Sequence, residues 1–329
     1  ERWLGDDAPL PDRHWLDART GAVPTRMQDR TGALWVVNSA ALASLATGAP
    51  WPDCVERDAA GQPTGRIWRG DDWLRAAMGA AAVPDLTPLS AQLAAYGITG
   101  VTDAGARNGA AEAAMLSAAR RAGTLKQRLM IMGGEGVPTG EAEYRRGPLK
   151  LLYDERALPP LDNVAARITA ARAQGRAIAA HVVSVGELLF FLAALDAAGG
   201  ARAGDRIEHG GLIPADLIPV IAAKRLTVVS NPGFIHDRGD RYAAEVPPDE
   251  QDDLYRLKSL IDAGVPVAAG SDAPYGTPDP WAAMRTAMTR TSKSGHALGA
   301  GEAVDAMTAL SLYLKPFAAH SAARHIGVG

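Results

Sequence analysis

The sequence is short of several things that usually assign a chain to a class. It has one cysteine in 329 residues, Cys54, which excludes an intrachain disulfide and fits a reducing, cytoplasmic compartment. It has no excess of either charge: 34 basic residues against 37 acidic ones give a net charge of −3, with no basic block. That balance argues against a nucleic-acid or membrane-surface partner. No apolar run reaches the ~18 residues of a membrane span, and no secretory leader is evident. The first residue is Glu, so the sequence is read as beginning inside a longer gene product. What remains is an ordinary globular composition, 47% hydrophobic and 22% charged, rich in the turn formers Gly and Pro. The expected partner is a small-molecule substrate, with a homo-oligomer as an open possibility.

From about residue 96 a pattern repeats: a short apolar strand, a loop, an amphipathic helix, a glycine and the next strand. The strand candidates are GITGVTDAG (97–105), QRLMIMGG (127–134), GPLKLLYD (147–154), AIAAHVV (177–183), DRIEHGG (205–211), LTVVSNPG (226–233) and VPVAAGSDAP (265–274). Helical periodicity with a closing Gly marks DNVAARITAARAQG, VGELLFFLAALDAAGG and DEQDDLYRLKSLIDAG. Near-continuously apolar strands imply a parallel sheet covered on both faces. The alternation predicts a (β/α) barrel or a doubly wound sheet. Seven strands are countable, whereas a (β/α)8 barrel closes with eight. Residues 1–75 supply no evident eighth; only ALWVVNSAALA (33–43) reads as a strand or turn running into a helix.

In α/β proteins ligands bind at the carboxyl ends of the strands, and here those ends carry chemistry. Lys150 sits inside an apolar strand, His181 ends the next strand, and Glu208-His209 ends the one after. Asp272 follows the strand of VAAGSDAPYG (267–276) at the point where it leaves the core. Singly, each has a plain structural reading. A strand His is commonly a satisfied core residue, Lys150 could snorkel to a rim, Glu208 could pair with Arg206, and Asp272 could be a turn residue. Jointly, two His, a Lys and an Asp from four strands form a candidate divalent-metal site. A desolvated neutral Lys is nucleophilic and can be carbamylated by CO₂. On the stretch NPGFIHDRGDRY (231–242), read as an active-site loop, His236, Arg238 and Arg241 are candidates to meet a polar or anionic substrate.

A Lys, then a His on each of two following strands, then an Asp in a GSDAP turn, resembles the metal-dependent amidohydrolase superfamily, in particular its amidohydrolase-3 branch. The words that carry the likeness are TGALWVVNSAAL, GITGVTDAG, GPLKLLYD, RIEHGG and GSDAPYGTPDPW, spread over nearly the whole chain. The resemblance implies a (β/α)8 TIM-type barrel with an accessory β-sandwich. It implies hydrolysis of non-peptide C–N bonds (amide, N-acyl or N-formyl) by a metal-activated water. It makes Lys150 a carboxylated bridging ligand, places His181 and His209 on one metal, and gives Asp272 the other metal and the proton transfer. One or two ions, zinc first among them, are expected in the complete protein.

The departure is the family's opening His-x-His strand, which occurs nowhere in this sequence. The expectation is therefore a chain lacking barrel strand 1 and the sandwich. Residues 1–75 would then belong to the insertion between strands 1 and 2, and residues 76–329 would hold strands 2–8. Two other readings stay open: a non-catalytic barrel acting as a binding protein, and a phosphate-binding barrel enzyme with AAGSDAP as an anion cradle.

Overall fold

The computed structural model describes residues 10–29, 32–45, 48, 50–79, 83–139, 142–153 and 155–315. The chain divides into two compact units, Glu1–Pro84 and Asp85–Gly329.

The first unit contains α1 (Arg13–Thr20), β1 (Arg26–Gln28), β2 (Leu34–Val37), α2 (Ser39–Leu45), β3 (Val55–Arg57), β4 (Pro63–Trp68) and α3 (Asp71–Met78). Its strands form an antiparallel sheet in the order β1-β2-β4-β3. Along β4 buried and half-buried residues alternate, the pattern of a sheet with one covered face. Val37, Leu42, Val55, Ile67 and Leu74 make its core. Leu74 lies on α3, so residue 75, the boundary expected from sequence, falls within a helix anchored in this first core.

The second unit contains α4 (Thr87–Ala95), β5 (Gly100–Asp103), α5 (Ala110–Arg121), β6 (Arg128–Gly133), β7 (Arg145–Leu151), α6 (Leu161–Ala173), β8 (Ile178–Val182) and α7 (Val185–Ala197). It continues with β9 (Arg206–His209), α8 (Ile218–Ala223), β10 (Thr227–Ser230), α9 (Gly233–Glu245), α10 (Lys258–Asp262), β11 (Val267–Ala269), α11 (Pro280–Thr289) and α12 (Ala306–Ser311). All seven of its strands are parallel and lie in strict sequence order from β5 to β11. No strand order reverses, so there is no doubly wound switch point. The curled sheet is that of a (β/α)8 TIM-type barrel.

Alternation along these strands decides what faces inward. Leu149 and Leu151, then Ile178, Ala180 and Val182, then Ile207, Val228 and Val267 all join one core with the helices. There they meet Val164 and Ile168 of α6 and Leu188, Phe191 and Leu195 of α7. The intervening residues, Lys150, Ala179, His181, Arg206 and Glu208, therefore face the other way, into the barrel. A glycine ends α6 where the chain needs a left-handed residue: Gly175 has φ +71°.

Two segments differ from expectation. DEQDDLYRLKSLIDAG is not one helix: a 3₁₀ turn at Pro248–Asp253 is followed by the short α10. The cause is the fully buried Arg290, whose guanidinium takes the carbonyls of Leu254 and Tyr255 that a helix would use internally. NPGFIHDRGDRY, read as a loop, is mostly helix α9. Its Gly239 serves close packing, since a Cβ there would lie 2.7 Å from Ser292 Cβ.

Candidate metal and catalytic site

Each candidate residue is placed by its strand. Lys150, between Leu149 and Leu151 on β7, is 5% exposed and does not snorkel. Burial lowers its pKa, while the carboxylates of Glu208 and Asp272 act in the opposite direction. His181 points inward from β8, and its Cα neighbour on β9 is Glu208. Simple alternation would send the next β9 residue, His209, outward beside Ile207. Its backbone instead adopts φ +73°, uncommon for a residue with a side chain. The turn brings the His209 ring to 4.5 Å from that of His181, centroid to centroid, at 69°. The following glycines make this possible: a Cβ on Gly211 would lie 2.8 Å from the Val183 backbone.

Burial sets the charge state of both imidazoles. Desolvation pushes His181 down to about 2 and His209 down to about 3, with the Lys150 charge adding to both. Both rings are therefore neutral near pH 7, with a lone pair free to coordinate. A further residue, absent from the sequence-level candidates, settles which nitrogen that is on His209. Asn231, just after β10, donates its Nδ2 to the Gly270 carbonyl at 2.8 Å. That leaves its Oδ1 to accept from His209 Nδ1 at 2.7 Å. His209 is thus protonated on Nδ1 and keeps Nε2 for a ligand. The available signal was register: Asn231 directly follows Ser230, the Cα partner of His209.

Asp272 leaves β11 with φ +51°. The Tyr275 and Gly276 amides donate to its carbonyl at 2.8 and 3.3 Å, closing the turn. The Ala273 amide bonds to Ser271 Oγ at 3.2 Å. These amides are used within the turn, so the anion cradle considered from sequence loses donors it would need. Burial raises the Asp272 carboxyl to about 6, with Lys150 and Arg238 pulling it down. Glu208 pairs with Arg206 at 2.5 Å, as the plain reading had it, and its charge also acts on Lys150, His181 and Asp272.

The three substrate candidates on α9 separate. His236 is exposed. Arg241 is exposed and engaged by Glu245 at 2.7 Å. Arg238 is held over the Phe234 ring at 3.9 Å, and its charge acts on both His209 and Asp272.

The donor set suits a divalent cation: two neutral imidazoles, a carboxylate and an amine whose charged form burial disfavours. Among the described residues no three His, Cys, Asp or Glu side chains form a cage by themselves. The paired imidazoles of His181 and His209 are therefore not joined by a third His, Cys, Asp or Glu, and the nearby group of another kind whose charge acts on both is Lys150. Of membrane insertion, it holds that no helix among the described residues is long and apolar enough to cross a bilayer.

The chain is 26% identical to an N-substituted formamide deformylase of Arthrobacter pascens, matching over 92% of its own length and 65% of that protein's. It thus spans about two thirds of that relative. A structure titled as an uncharacterized metal-dependent hydrolase from Pyrococcus horikoshii superposes with a TM-score of 0.73 at 19% identity, covering 92% of this chain and 68% of that one. A similarly titled protein from Pyrococcus furiosus gives 0.69 at 19% identity, over 92% and 69%. These two establish likeness of fold. The sequence profile of the amidohydrolase family, Amidohydro_3, matches residues 6–320, and on that extent the chain belongs to the amidohydrolase family.

Proposed function

We propose that this chain carries a metal-dependent hydrolase activity on non-peptide C–N bonds of the amide, N-acyl or N-formyl type. The observation that carries the reading is the pairing of the His181 and His209 rings 4.5 Å apart, both held neutral by burial, beside Lys150 and Asp272. The formamide-cleaving activity in the name of the Arthrobacter pascens relative supports the bond type.

His181, His209 through Nε2, Lys150 and Asp272 would hold the cation, with zinc the fitting choice for imidazole and carboxylate donors. A bound divalent cation supplies Lewis acidity toward the amide carbonyl and lowers the pKa of water. Lys150 is suited to carbamylation. Burial disfavours its ammonium form, and the neutral amine adds CO₂ to give a carbamate and release one proton. The carbamate would place two oxygen donors where the amine offers one nitrogen. Asp272, raised to about 6, is mostly ionised at pH 7 yet a usable acid. Its carboxylate takes a proton as water adds to the acyl carbon. It returns that proton to the nitrogen as the C–N bond breaks, leaving an amine and a carboxylic acid.

The test is a screen of N-formyl and N-acyl amines with zinc-loaded protein, chelated protein, and the His181→Ala and Asp272→Ala variants. Hydrolysis that needs the metal and is abolished in both variants is expected. Turnover undiminished by chelator and by Asp272→Ala would place the chemistry elsewhere.

A further inference from the structure

Arg238, half-buried on α9, has fewer partners than the other well-packed arginines of the barrel unit. Arg172 pairs with Asp205 at 2.8 Å, Arg206 with Glu208 at 2.5 Å and Arg256 with Glu302 at 2.6 Å. Arg176 donates to the carbonyls of Gly133, Gly134, Gly147 and Pro148, and Arg290 to four carbonyls of its own. Arg238 makes one hydrogen bond, from Nη2 to the Tyr275 carbonyl at 3.1 Å. Its buried Nε, like those of Arg172 and Arg206, meets no hydrogen-bond acceptor among the described residues, so the difference lies in its guanidinium end. No carboxylate among them pairs with it within 4.0 Å.

The side chain is nevertheless fixed. Phe234 is one helical turn earlier on α9, so the guanidinium lies over its ring at 3.9 Å. That ring is 2% exposed and packs edge-to-face on Tyr255 at 5.6 Å. The Tyr275 carbonyl holding Nη2 belongs to the turn closed on Asp272. A rigid, charged fork with unused donors is thus anchored to the loop that delivers the proposed proton-transfer group. Guanidinium donors match a carboxylate in pairs.

We propose that Arg238 is an anion-recognition group of this site, selecting amide-type substrates that carry a carboxylate on the nitrogen-side or acyl-side substituent. The inference rests on the hydrolase reading for its substrate class, and its test separates the two. It also competes with a simpler role, in which Arg238 only stabilises the charge of Asp272. That role would affect anionic and neutral substrates alike.

The experiment compares N-formylglycine with N-formylglycinamide, and N-formyl-β-alanine with its amide, on zinc-loaded wild type, Arg238→Met, Arg238→Lys and Arg241→Met. Each pair differs only in the carboxylate, and the two spacings allow for reach. Wild type should prefer the acid of at least one pair in kcat/KM by about 10- to 100-fold, the range of a charge-assisted hydrogen bond. Arg238→Met should erase the preference mainly through KM, Arg238→Lys should restore part of it, and Arg241→Met should retain it. Calorimetric binding of the same four compounds provides a readout that needs no turnover. Preferential binding of the acids, lost in Arg238→Met, supports the inference even where nothing is hydrolysed, an outcome that would instead sink the hydrolase reading. Equal binding of acids and amides by wild type overturns the inference. So does an equal loss of kcat on both members of a pair in Arg238→Met, even if hydrolysis is robust.

Discussion

Asn231 is the residue through which the account is most exposed to test. Its amide spans two groups: Oδ1 accepts from His209 Nδ1 at 2.7 Å, and Nδ2 donates to the Gly270 carbonyl at 2.8 Å. The side chain is 4% exposed and the His209 ring 8%, so water cannot readily replace either bond. Asn231→Leu keeps the volume and removes both. A buried group left unpaired costs about 1–3 kcal/mol, and two such groups predict a loss of about 2–6 kcal/mol in unfolding free energy. The tautomer effect is separate. Without Asn231 the Nδ1–H form of His209 is no longer favoured, and loss of such an outer partner lowers metal affinity about 10- to 100-fold. Asn231→Asp separates the contributions, because its carboxylate keeps the acceptor for Nδ1–H and loses only the donor to Gly270. The order of zinc affinity should be wild type and Asn231→Asp together, then Asn231→Leu well below. Zinc competition with a chromophoric chelator reads affinity, and urea unfolding in chelator reads stability. Zinc affinity unchanged in Asn231→Leu, with stability lowered as calculated, would mean that His209 is a core histidine and not a ligand.

Three further outcomes follow from the same coordinates. With metal chelated, stability should fall between pH 7.5 and 5.5. Unfolded imidazoles take up protons below about 6.5, while folded His181 and His209, at about 2 and 3, refuse them. Asp272, raised to about 6, gains stability on acidification over the same window, so two imidazoles at about 1 kcal/mol each are offset by about 1 kcal/mol. Urea midpoints at the two pH values check the sign, and the decline should vanish in His181→Gln/His209→Gln. Phe191→Ala, at a fully buried ring between α7 and the sheet, should cost about 3–5 kcal/mol, and a cost below about 1 would contradict the packing described. Gly276→Ala puts a Cβ 2.5 Å from the Ser271 carbonyl and 2.7 Å from the Phe234 ring. It should depress turnover more than stability, read as kcat against thermal midpoint, by displacing the turn that holds Asp272.

The strands of the barrel unit were legible because each is a short apolar run buried on both faces, followed by a periodic helix. Residues 149, 150 and 151 show the logic in three positions, with a lysine that makes sense only if one face of the strand is a site. Three features were not legible, for different physical reasons. The small antiparallel sheet consists of strands of three to six residues among Pro, Gly and Asp, too short for alternation to stand out, although PTGRIW (63–68) does alternate. Helix α9 reads as a loop from its place directly after a strand, and its glycine does not break it because Gly239 is needed for contact with Ser292. Of its three candidates only Arg238 carries a charge that acts on His209 and Asp272, and helix phase decides that: Arg238 lies over Phe234, while Arg241 turns toward Glu245. Asn231 was hidden because an Asn before Pro reads as a turn residue, and its bond to His209 exists only through strand register.

The most direct test of the central claim is anomalous diffraction at the zinc edge from crystals grown with stoichiometric zinc. The account predicts a peak within coordination distance of the His181 ring, His209 Nε2 and the Lys150 side chain, with density on Nζ for a carbamate, and loss of that peak in His209→Ala. A well-formed barrel with no peak between the two imidazoles, or with zinc bound only at surface histidines such as His236, would contradict it.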